Sequence, residues 1–443
     1  MTKAHRAGPL FTDLYELTMA ASYFVHQVVS TATFSLFIRE NHLKRNFFVA
    51  AGLEDVLNEL AAFRFSKQDI KYLQTTGIFS KDFLSYLSGL RFSGKILAMH
   101  EGTIFFANEP VLEVTAPIIE AQLIETFLLN TIGFQSMIAS KAARCIHVAG
   151  DRPLIDFSMR RTQGQDAGHK VARSTYIAGF TATSNVLAGK MYGIPISGTM
   201  AHSYVEAFSD ELAAFSAYSK TFPDNSIFLI DTYNTIDGAE NAVTVAKKMK
   251  KNGHSLIGVR LDSGDMADLS QKVRKIFDDA GLYDVKIFAS SGFDEFKIAK
   301  VISEGAKINA FGVGTKVGVS ADAPYLDVVY KMVHFKDRDV RKLSPCKITL
   351  AGEKQVFRKS DQNGRYLEDI IGLRNDIIDQ GKPLLKKVME NGKILQPHPP
   401  LQAIQDKFKK NFPLLDDRYK SIFEHKAYPV KLSIPLQTLQ ENT

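Results

Sequence analysis

Between residues 152 and 333 the sequence alternates short apolar runs with longer segments of helical periodicity, and this rhythm constrains the fold most. The apolar runs of strand length are Leu154–Phe157, Ile194–Ile196, Ile227–Ile230, Leu256–Val259, Val285–Phe288 and Ile308–Phe311. The helical segments between them include Tyr176–Met191, Val205–Tyr218 and Met266–Phe277. Strands spaced ~25–40 residues apart with helices between them predict βαβ units and a parallel sheet. Six such strands favour a closed or partial (β/α) barrel, with a doubly wound sheet as the alternative.

The flanking sequence predicts a larger α/β protein around this region. Thr31–Ile38 has the composition of a strand, and Gly52–Phe63 has helical spacing. We therefore expect an N-terminal α/β domain with connecting helices over residues 1–150, the barrel over 151–333 and a third region over 334–443. With 443 residues, 45% of them hydrophobic, the chain can bury a large core.

Composition excludes several classes of protein. No apolar run reaches the ~18 residues that a membrane span requires, and the N-terminus lacks the apolar core of a signal peptide. Cys145 and Cys346 are too few for a disulfide framework or a thiolate zinc site, so we expect a cytoplasmic protein. The net charge of +7 permits nucleic-acid binding, but the basic residues are scattered. Electrostatic steering of polyphosphate substrates explains the same charge.

Polar or glycine-rich residues follow every predicted strand. The segments, in chain order, are DFSMRRTQGQDAG, SGTMAHS, DTYNT, RLDSGD, SSGFDE and GVGTKVG. The active sites of barrel enzymes lie at the carboxyl ends of the strands, because those loops vary while the barrel stays packed. The sequence therefore predicts an active site formed by these six segments.

Two of the segments are candidates for binding anions. In Gly312–Thr315, glycines let backbone N–H groups approach a phosphate, although a plain tight turn has the same sequence. Arg160 and Arg161 follow the first strand and can hold a carboxylate or phosphate bidentately. A solvated surface pair is the alternative for these arginines.

The segment from Arg260 to Asp265 combines a cation with carboxylates. Asp262 and Asp265 suit ribose hydroxyls or Mg²⁺, which prefers oxygen ligands. The alternative is that Ser263 or Asp265 caps the helix that begins at Met266. Asp231, at the preceding strand end, adds to the same polar rim.

His202 lies in a loop of small residues at a strand end, where it could act as a nucleophile or as an acid and base. The alternative is structural, because Ser203 and Glu206 have the spacing of a helix capping box. The sequence contains no HExxH motif, so a tightly held catalytic zinc is not expected.

Together these segments resemble the nicotinate phosphoribosyltransferase family. TDLYELTMA, RRTQGQDAG, GTMAHS, GVRLDSGD and FGVGT occur in the family's order and span most of the chain. The resemblance implies an irregular α/β barrel with an N-terminal α/β domain, joined by C-terminal segments that return to that domain. It also implies a homodimer whose site is completed across the interface, without nucleic acid or membrane as a partner.

The resemblance also implies roles for individual residues. Tyr15 would pack on the pyridine ring, and His202 would be phosphorylated by ATP, the co-substrate. Arg260 and Asp262 are the other catalytic candidates, and Mg²⁺ would enter with the substrate, near Asp262 and Asp265. The substrate-binding candidates are Tyr15, Arg160, Arg161, Thr199, Ser203, Asp231, Asp265, Gly314 and Thr315.

The expected reaction converts nicotinate and phosphoribosyl pyrophosphate to nicotinate mononucleotide and pyrophosphate, coupled to ATP hydrolysis, in NAD salvage. One alternative is nicotinamide phosphoribosyltransferase, against which TDLYELTMA argues. The other is a barrel that binds phosphoribosyl ligands without turnover.

Overall fold

The computed structural model describes residues 8–39, 45–344 and 349–443. Cys346 and the first seven residues of the predicted N-terminal domain therefore lie outside the described residues. The chain forms two compact units. The first unit combines residues 1–140 with 325–443, and the second unit contains residues 141–324.

The helices and strands follow one another in mixed order along the chain. Up to the helix that runs from the first unit into the second, they are α1 (Leu14–Val25), β1 (Thr31–Ile38), β2 (Phe48–Val49), α2 (Leu53–Ala61), α3 (Lys67–Thr75), α4 (Lys81–Gly89), β3 (Lys95–Ala98), β4 (Ile104–Phe105), β5 (Pro110–Pro117), α5 (Ile118–Leu123) and α6 (Glu125–Ala149).

The second unit continues with an alternating pattern. Its elements are β6 (Leu154–Asp156), a 3-10 helix (Met159–Arg161), α7 (Gln165–Ile177), β7 (Ala182–Thr183), α8 (Val186–Tyr192), α9 (His202–Glu206), α10 (Glu211–Thr221), β8 (Ile227–Leu229), α11 (Thr235–Lys251), β9 (Gly258–Leu261), α12 (Met266–Asp279), β10 (Lys286–Ala289), α13 (Glu295–Ser303), β11 (Ala310–Val313) and α14 (Thr315–Gly318).

The chain then returns to the first unit. The remaining elements are β12 (Val328–Phe335), β13 (Arg338–Asp339), β14 (Lys354–Ser360), β15 (Tyr366–Leu373), β16 (Lys382–Pro383), β17 (Lys386–Glu390), β18 (Lys393–Ile394), α15 (Leu401–Asn411), two 3-10 helices (Phe412–Leu414 and Asp417–Tyr419), β19 (Val430–Leu432) and α16 (Ile434–Asn442).

An antiparallel sheet dominates the first unit. Its strands run in the order β13-β12-β1-β5-β3-β17-β18, so the early strands pair with strands from the end of the chain. Apart from its first residue, β1 is buried along its whole length, which is expected of a strand covered on both faces. Phe34 on β1 stacks on Tyr330 of β12 with ring centroids 4.6 Å apart. The strand predicted at Thr31–Ile38 is confirmed, and α2 confirms the helix predicted within Gly52–Phe63.

The second unit, all of whose residues are described, is built on a parallel sheet. Its strands run in the order β7-β6-β11-β10-β9-β8, and every pairing is parallel. The predicted parallel sheet is therefore confirmed as an open, curled half-barrel. Because the strands are parallel, their carboxyl ends lie along one edge, and the polar segments follow at that edge.

Three predictions for this unit are wrong. Ile194–Ile196 is not a strand, since only Ile196 forms an isolated bridge, with Thr183. The helix predicted over Tyr176–Met191 is interrupted by β7 at Ala182–Thr183. Gly179 has a φ of +107° and ends helical geometry there, because this region of φ favours glycine. The helix predicted over Val205–Tyr218 is likewise divided into α9 and α10.

Candidate functional site

Arg260 lies near the carboxyl end of β9 and joins this strand to the loop before α9. Its guanidinium donates through Nη1 to the Thr199 hydroxyl and through Nη2 to the Met200 carbonyl at 3.1 Å. Burial lowers the pKa of Arg260, while the charges of Asp262 and Asp231 oppose that shift and nearby Arg160 adds to it. The buried Nε has no hydrogen-bond partner among the described residues. The structure thus brings Arg260 and Thr199 together and leaves one donor unpaired.

Asp231 and Asp262 form the acidic side of the site. Asp231 Oδ2 accepts from the backbone N–H of Asp262 at 2.8 Å and from the hydroxyl of Ser263 at 2.7 Å. Asp262 in turn accepts a hydrogen bond from the hydroxyl of Ser290, at the end of β10. Asp231 Oδ1 is buried without a hydrogen-bond partner in the described chain. An unpaired carboxylate oxygen beside a second carboxylate has the chemistry of a divalent-cation ligand.

The Asp265 carboxylate has other hydrogen-bond partners than the carboxylates of Asp231 and Asp262. Its Oδ1 accepts from the backbone N–H groups of Ala267 at 3.0 Å and Asp268 at 3.1 Å, so Asp265 caps α12. The helix-cap interpretation is therefore confirmed, and the exposed side chain remains at the same edge of the sheet. Among the described residues, no group of three or more His, Cys, Asp or Glu side chains could hold a metal ion.

His202 is the first residue of α9 and is half-buried. Its Nδ1 lies 3.2 Å from the hydroxyl of Thr232, which follows β8, and Nε2 has no protein partner among the described residues. The capping-box interpretation of Ser203 is wrong. The helix begins one residue before Ser203, and its N-cap is Ala201, whose side chain cannot accept a hydrogen bond. Ser203 is exposed within the first turn.

The glycines at the carboxyl end of β11 are required by packing as well as by the backbone path. A β-carbon at Gly312 would lie 2.5 Å from the ring of Phe157, and one at Gly314 would lie 3.1 Å from the Phe157 carbonyl oxygen. Gly314 is the N-cap of α14, and Thr315, its first residue, is exposed. The next residue, Lys316, pairs with Asp294 at 2.8 Å.

The two arginines after β6 are exposed on the 3-10 helix Met159–Arg161. Arg160 is close enough to Arg260 to disfavour its charge. Neither arginine side chain has an ion pair or hydrogen bond within the described part of the chain, so both guanidinium groups are available to an anion. The carboxylate of Asp156, at the end of β6, is buried and accepts from the Thr183 hydroxyl at 2.8 Å.

Tyr15 belongs to the first unit. It lies on α1 and is 48% exposed. Burial, followed by the charges of Glu125, Glu16 and Asp13, raises its pKa to about 12. The phenol is therefore neutral at physiological pH.

Sequence reasoning missed several polar residues that the structure places at the same edge of the second unit. They are Thr232, Ser290, Asp294, Lys297 and Lys316. All five lie in or next to the segments that follow the strands, so a residue-by-residue reading of those segments could have found them. No motif distinguishes the two lysines from the many other lysines on the helices.

The fold and the site define an α/β protein whose cations, carboxylates and glycine loop meet at the carboxyl edge of a parallel sheet, an arrangement typical of enzymes that bind phosphorylated substrates. Family models for nicotinate phosphoribosyltransferase match residues 10–133 (N-terminal domain), 153–362 (family) and 379–440 (C-terminal domain). The chain belongs to the nicotinate phosphoribosyltransferase family, as its sequence predicts.

Similar proteins cover nearly the whole chain. The nicotinate phosphoribosyltransferase of Mycobacterium tuberculosis is 45% identical over 98% of this chain and 93% of its own length. That of Bacillus subtilis is 40% identical over 96% of this chain and 92% of its own length. The crystal structure of human nicotinic acid phosphoribosyltransferase superposes with a TM-score of 0.87 at 29% identity, covering 97% of this chain and 99% of that one. No helix in the described residues is long and apolar enough to cross a membrane.

Proposed function

We propose that the protein transfers the phosphoribosyl group of phosphoribosyl pyrophosphate to nicotinate, forming nicotinate mononucleotide and pyrophosphate in NAD salvage. Family membership over nearly the full length supports this activity. The single observation that carries it is that one sheet edge brings Arg260 and Thr199 together with Asp231, Asp262 and Ser290. This combination suits a sugar that carries both hydroxyl and phosphate groups.

The reaction breaks the bond between the ribose C1 and the pyrophosphate oxygen, and the pyridine nitrogen of nicotinate forms the new bond to C1. Positive charge builds on the sugar and negative charge on the leaving group. In this scheme the Arg260 guanidinium, fixed by Thr199 and Met200, stabilises the leaving pyrophosphate. Asp262, held by Ser290, offsets the charge on the sugar. Preorganised charges of this kind usually make the largest catalytic contribution.

Magnesium fits the acidic side of the site. The buried, unpaired Oδ1 of Asp231 and the adjacent Asp262 are suitable oxygen ligands, and Asp265 would contribute through water because its Oδ1 caps a helix. A bound Mg²⁺ neutralises charge on the pyrophosphate. Since these carboxylates are few, we propose that the ion is held jointly with the substrate.

We also propose that ATP phosphorylates His202 transiently and that hydrolysis of this phosphohistidine drives synthesis. The support is geometric. Thr232 fixes the imidazole through Nδ1, which leaves Nε2 as the nitrogen that can attack the terminal phosphate of ATP. Arg160 and Arg161 are unpaired cations on the same sheet edge, suited to the pyridine carboxylate or to a phosphate.

The finer organisation of the molecule is part of the proposal. We propose a homodimer in which Tyr15 packs on the pyridine ring bound to the neighbouring subunit. We also propose that further segments of the chain complete the six hydrogen-bonded strands into an irregular barrel. Exposure of almost half of the Tyr15 side chain supports the first point. The low number of cysteines supports a cytoplasmic location.

The test is product formation from phosphoribosyl pyrophosphate and magnesium with nicotinate, nicotinamide or quinolinate, each with and without ATP. We expect nicotinate mononucleotide from nicotinate, in greater yield with ATP. Product from nicotinamide alone would reassign the substrate. No mononucleotide from any of the three, with binding of phosphoribosyl pyrophosphate retained, would identify a binding protein without turnover.

A further inference from the structure

Two lysines lie beside the glycine loop Gly312–Thr315, at the carboxyl end of β11. Lys316 lies in the first turn of α14, and Lys297 lies in the first turn of α13, which follows the neighbouring strand β10. The Lys316 ammonium pairs with Asp294 Oδ2 at 2.8 Å. The other oxygen of Asp294 accepts the backbone N–H of Lys297 at 2.9 Å and caps α13. Both oxygens of this carboxylate are therefore in use.

The Lys297 ammonium has no carboxylate partner among the described residues. It donates to the carbonyl oxygen of Ser291 at 2.8 Å and lies 4.7 Å from the centre of the Phe293 ring. Partial burial lowers the pKa of Lys297, and repulsion from Lys316 lowers it further, although Asp294 and Asp262 oppose both effects. Of the two ammonium groups, that of Lys316 is therefore paired with a carboxylate, and that of Lys297 is bonded to a neutral carbonyl on a half-buried surface.

The turn that Lys297 contacts has an unusual backbone. Ser291 has a φ of +85°, in the region that favours glycine, and such a conformation persists only where its surroundings fix it. Lys297 holds the Ser291 carbonyl, while the preceding Ser290 holds Asp262. The turn therefore connects the acidic side of the site to the lysine pair.

We propose that Lys297 is a substrate-binding residue that, with Lys316, holds a phosphoryl group of the phosphorylated sugar beside the loop Gly312–Thr315. A phosphate between the two ammonium groups would relieve their repulsion and accept charge-assisted hydrogen bonds from both. The assignment rests on the proposed function and adds a specific residue to it. Lys297 can exchange its bond to a neutral carbonyl for one to an anion, whereas Lys316 already has a carboxylate.

The test compares Lys297→Gln with Lys300→Gln. Lys300 lies on the same helix, 72% exposed, with its ammonium 3.8 Å from Glu304 on the surface. Loss of a charged hydrogen-bond donor to phosphate should raise the KM for phosphoribosyl pyrophosphate about tenfold in Lys297→Gln, with kcat changed less than about threefold. Lys300→Gln should behave as the wild type, and Lys297→Arg should recover part of the loss. A KM in Lys297→Gln equal to that of Lys300→Gln would overturn the proposal, as would an equal loss in Lys297→Arg.

A second measurement does not depend on turnover. Ribose 5-phosphate, a phosphorylated sugar without a pyrophosphate group for Arg260, should raise the thermal unfolding midpoint of the wild type and of Lys300→Gln. The rise should be smaller in Lys297→Gln, because bound anions stabilise the folded state by mass action. Equal protection of all three would contradict the assignment of Lys297. If the wild type forms no mononucleotide, the proposed function fails, and this binding measurement still decides the role of Lys297.

Discussion

At the scale of the single residue, Arg260 shows how the fold fixes the position of a charged side chain before a substrate binds. Its strand supplies the position, and the loop before α9 supplies two acceptors for its guanidinium. The cost of burying the cation lowers its pKa, which means that a further negative partner would be favourable. The leaving pyrophosphate of the proposed reaction is such a partner.

Arg260→Lys should retain the charge and lose the function. A lysine cannot bond Thr199, Met200 and an anion at once, because its ammonium lacks the planar fork of the guanidinium. We expect kcat/KM for phosphoribosyl pyrophosphate to fall about 10²–10³-fold, as for loss of a preorganised donor. Arg365→Lys, at an exposed position of the first unit, is the control. Near-normal activity in Arg260→Lys, with an unchanged unfolding midpoint in both variants, would show that the guanidinium geometry is unimportant.

His202→Ala should separate ATP coupling from phosphoribosyl transfer. Without the imidazole, the phosphohistidine cannot form, so ATP should no longer stimulate the reaction while basal transfer continues. His254→Ala is the matched control, because His254 lies in the same unit, in an exposed pair with Asp224. Radiolabel from the terminal phosphate of ATP should enter the wild type and His254→Ala only. Full stimulation by ATP in His202→Ala would exclude the phosphohistidine mechanism.

Sequence patterns identify functional residues that come directly after an apolar run of strand length. Arg260, Asp262 and Asp231 were predicted in this way. The structure joins Asp262 to Asp231 by a hydrogen bond and places Arg260 close enough for the charges of both carboxylates to act on it. Thr232 lies in one of the predicted segments and was overlooked there, whereas Lys297 carries no signal that distinguishes it from the many other lysines on helices. Ser203 was misread as part of a capping box because the box depends on where the helix starts, which spacing fixes only to within a residue or two.

At the scale of the element, buried charges hold the region around the glycine loop. The ammonium of Lys141, on α6, lies 2.5 Å from Glu295 at the start of α13 and 2.7 Å from Asp322, which follows α14. Both distances are those of ion pairs. Arg144, one turn further along α6, also pairs with Glu295 at 2.8 Å. The cluster therefore ties α6 to α13 and to the segment that follows α14.

Lys141→Met should destabilise the second unit. The change removes the ammonium that pairs with both Glu295 and Asp322, and removing one partner of a buried pair commonly costs about 3 kcal/mol or more. Urea unfolding measures the difference. Lys275→Met, whose pair with Asp279 is exposed, should leave the free energy of unfolding unchanged. Equal stability of the two variants would mean that the buried cluster contributes no net stabilisation.

Element prediction succeeded where a strand is long enough to show its pattern. Five of the six predicted strands in the second unit are confirmed within a few residues, and α12 confirms the helix predicted from Met266. β7 was missed because two residues carry no periodicity, and it divides what reads as one long helix. Ile194–Ile196 was predicted as a strand because it is apolar. Ile194 is indeed buried, but the segment forms one isolated bridge and no ladder.

At the scale of the whole molecule, sequence order does not reveal which distant segments pair. β1 lies between β5 and β12, and about 290 residues separate β1 from β12 in the chain. Periodicity predicts each of these strands separately and carries no information on their partners. The parallel sheet of the second unit could be predicted from the sequence, because consecutive βαβ units nearly always connect parallel strands by a right-handed crossover.

The proposed dimer places Tyr15 in the site of the neighbouring subunit, and mixing variants tests this. Tyr15→Ala and Arg260→Ala should each be nearly inactive alone. In a mixed dimer, one site would carry both defects and the other neither, so random association should restore about a quarter of wild-type activity. Arg260→Ala mixed with Thr315→Ala is the control and should restore none, since both changes lie in the second unit. No recovery in the first mixture, with mixed dimers verified by differential tags, would place Tyr15 outside the partner's site. Sedimentation must show assemblies of two 49.3 kDa chains for the experiment to apply.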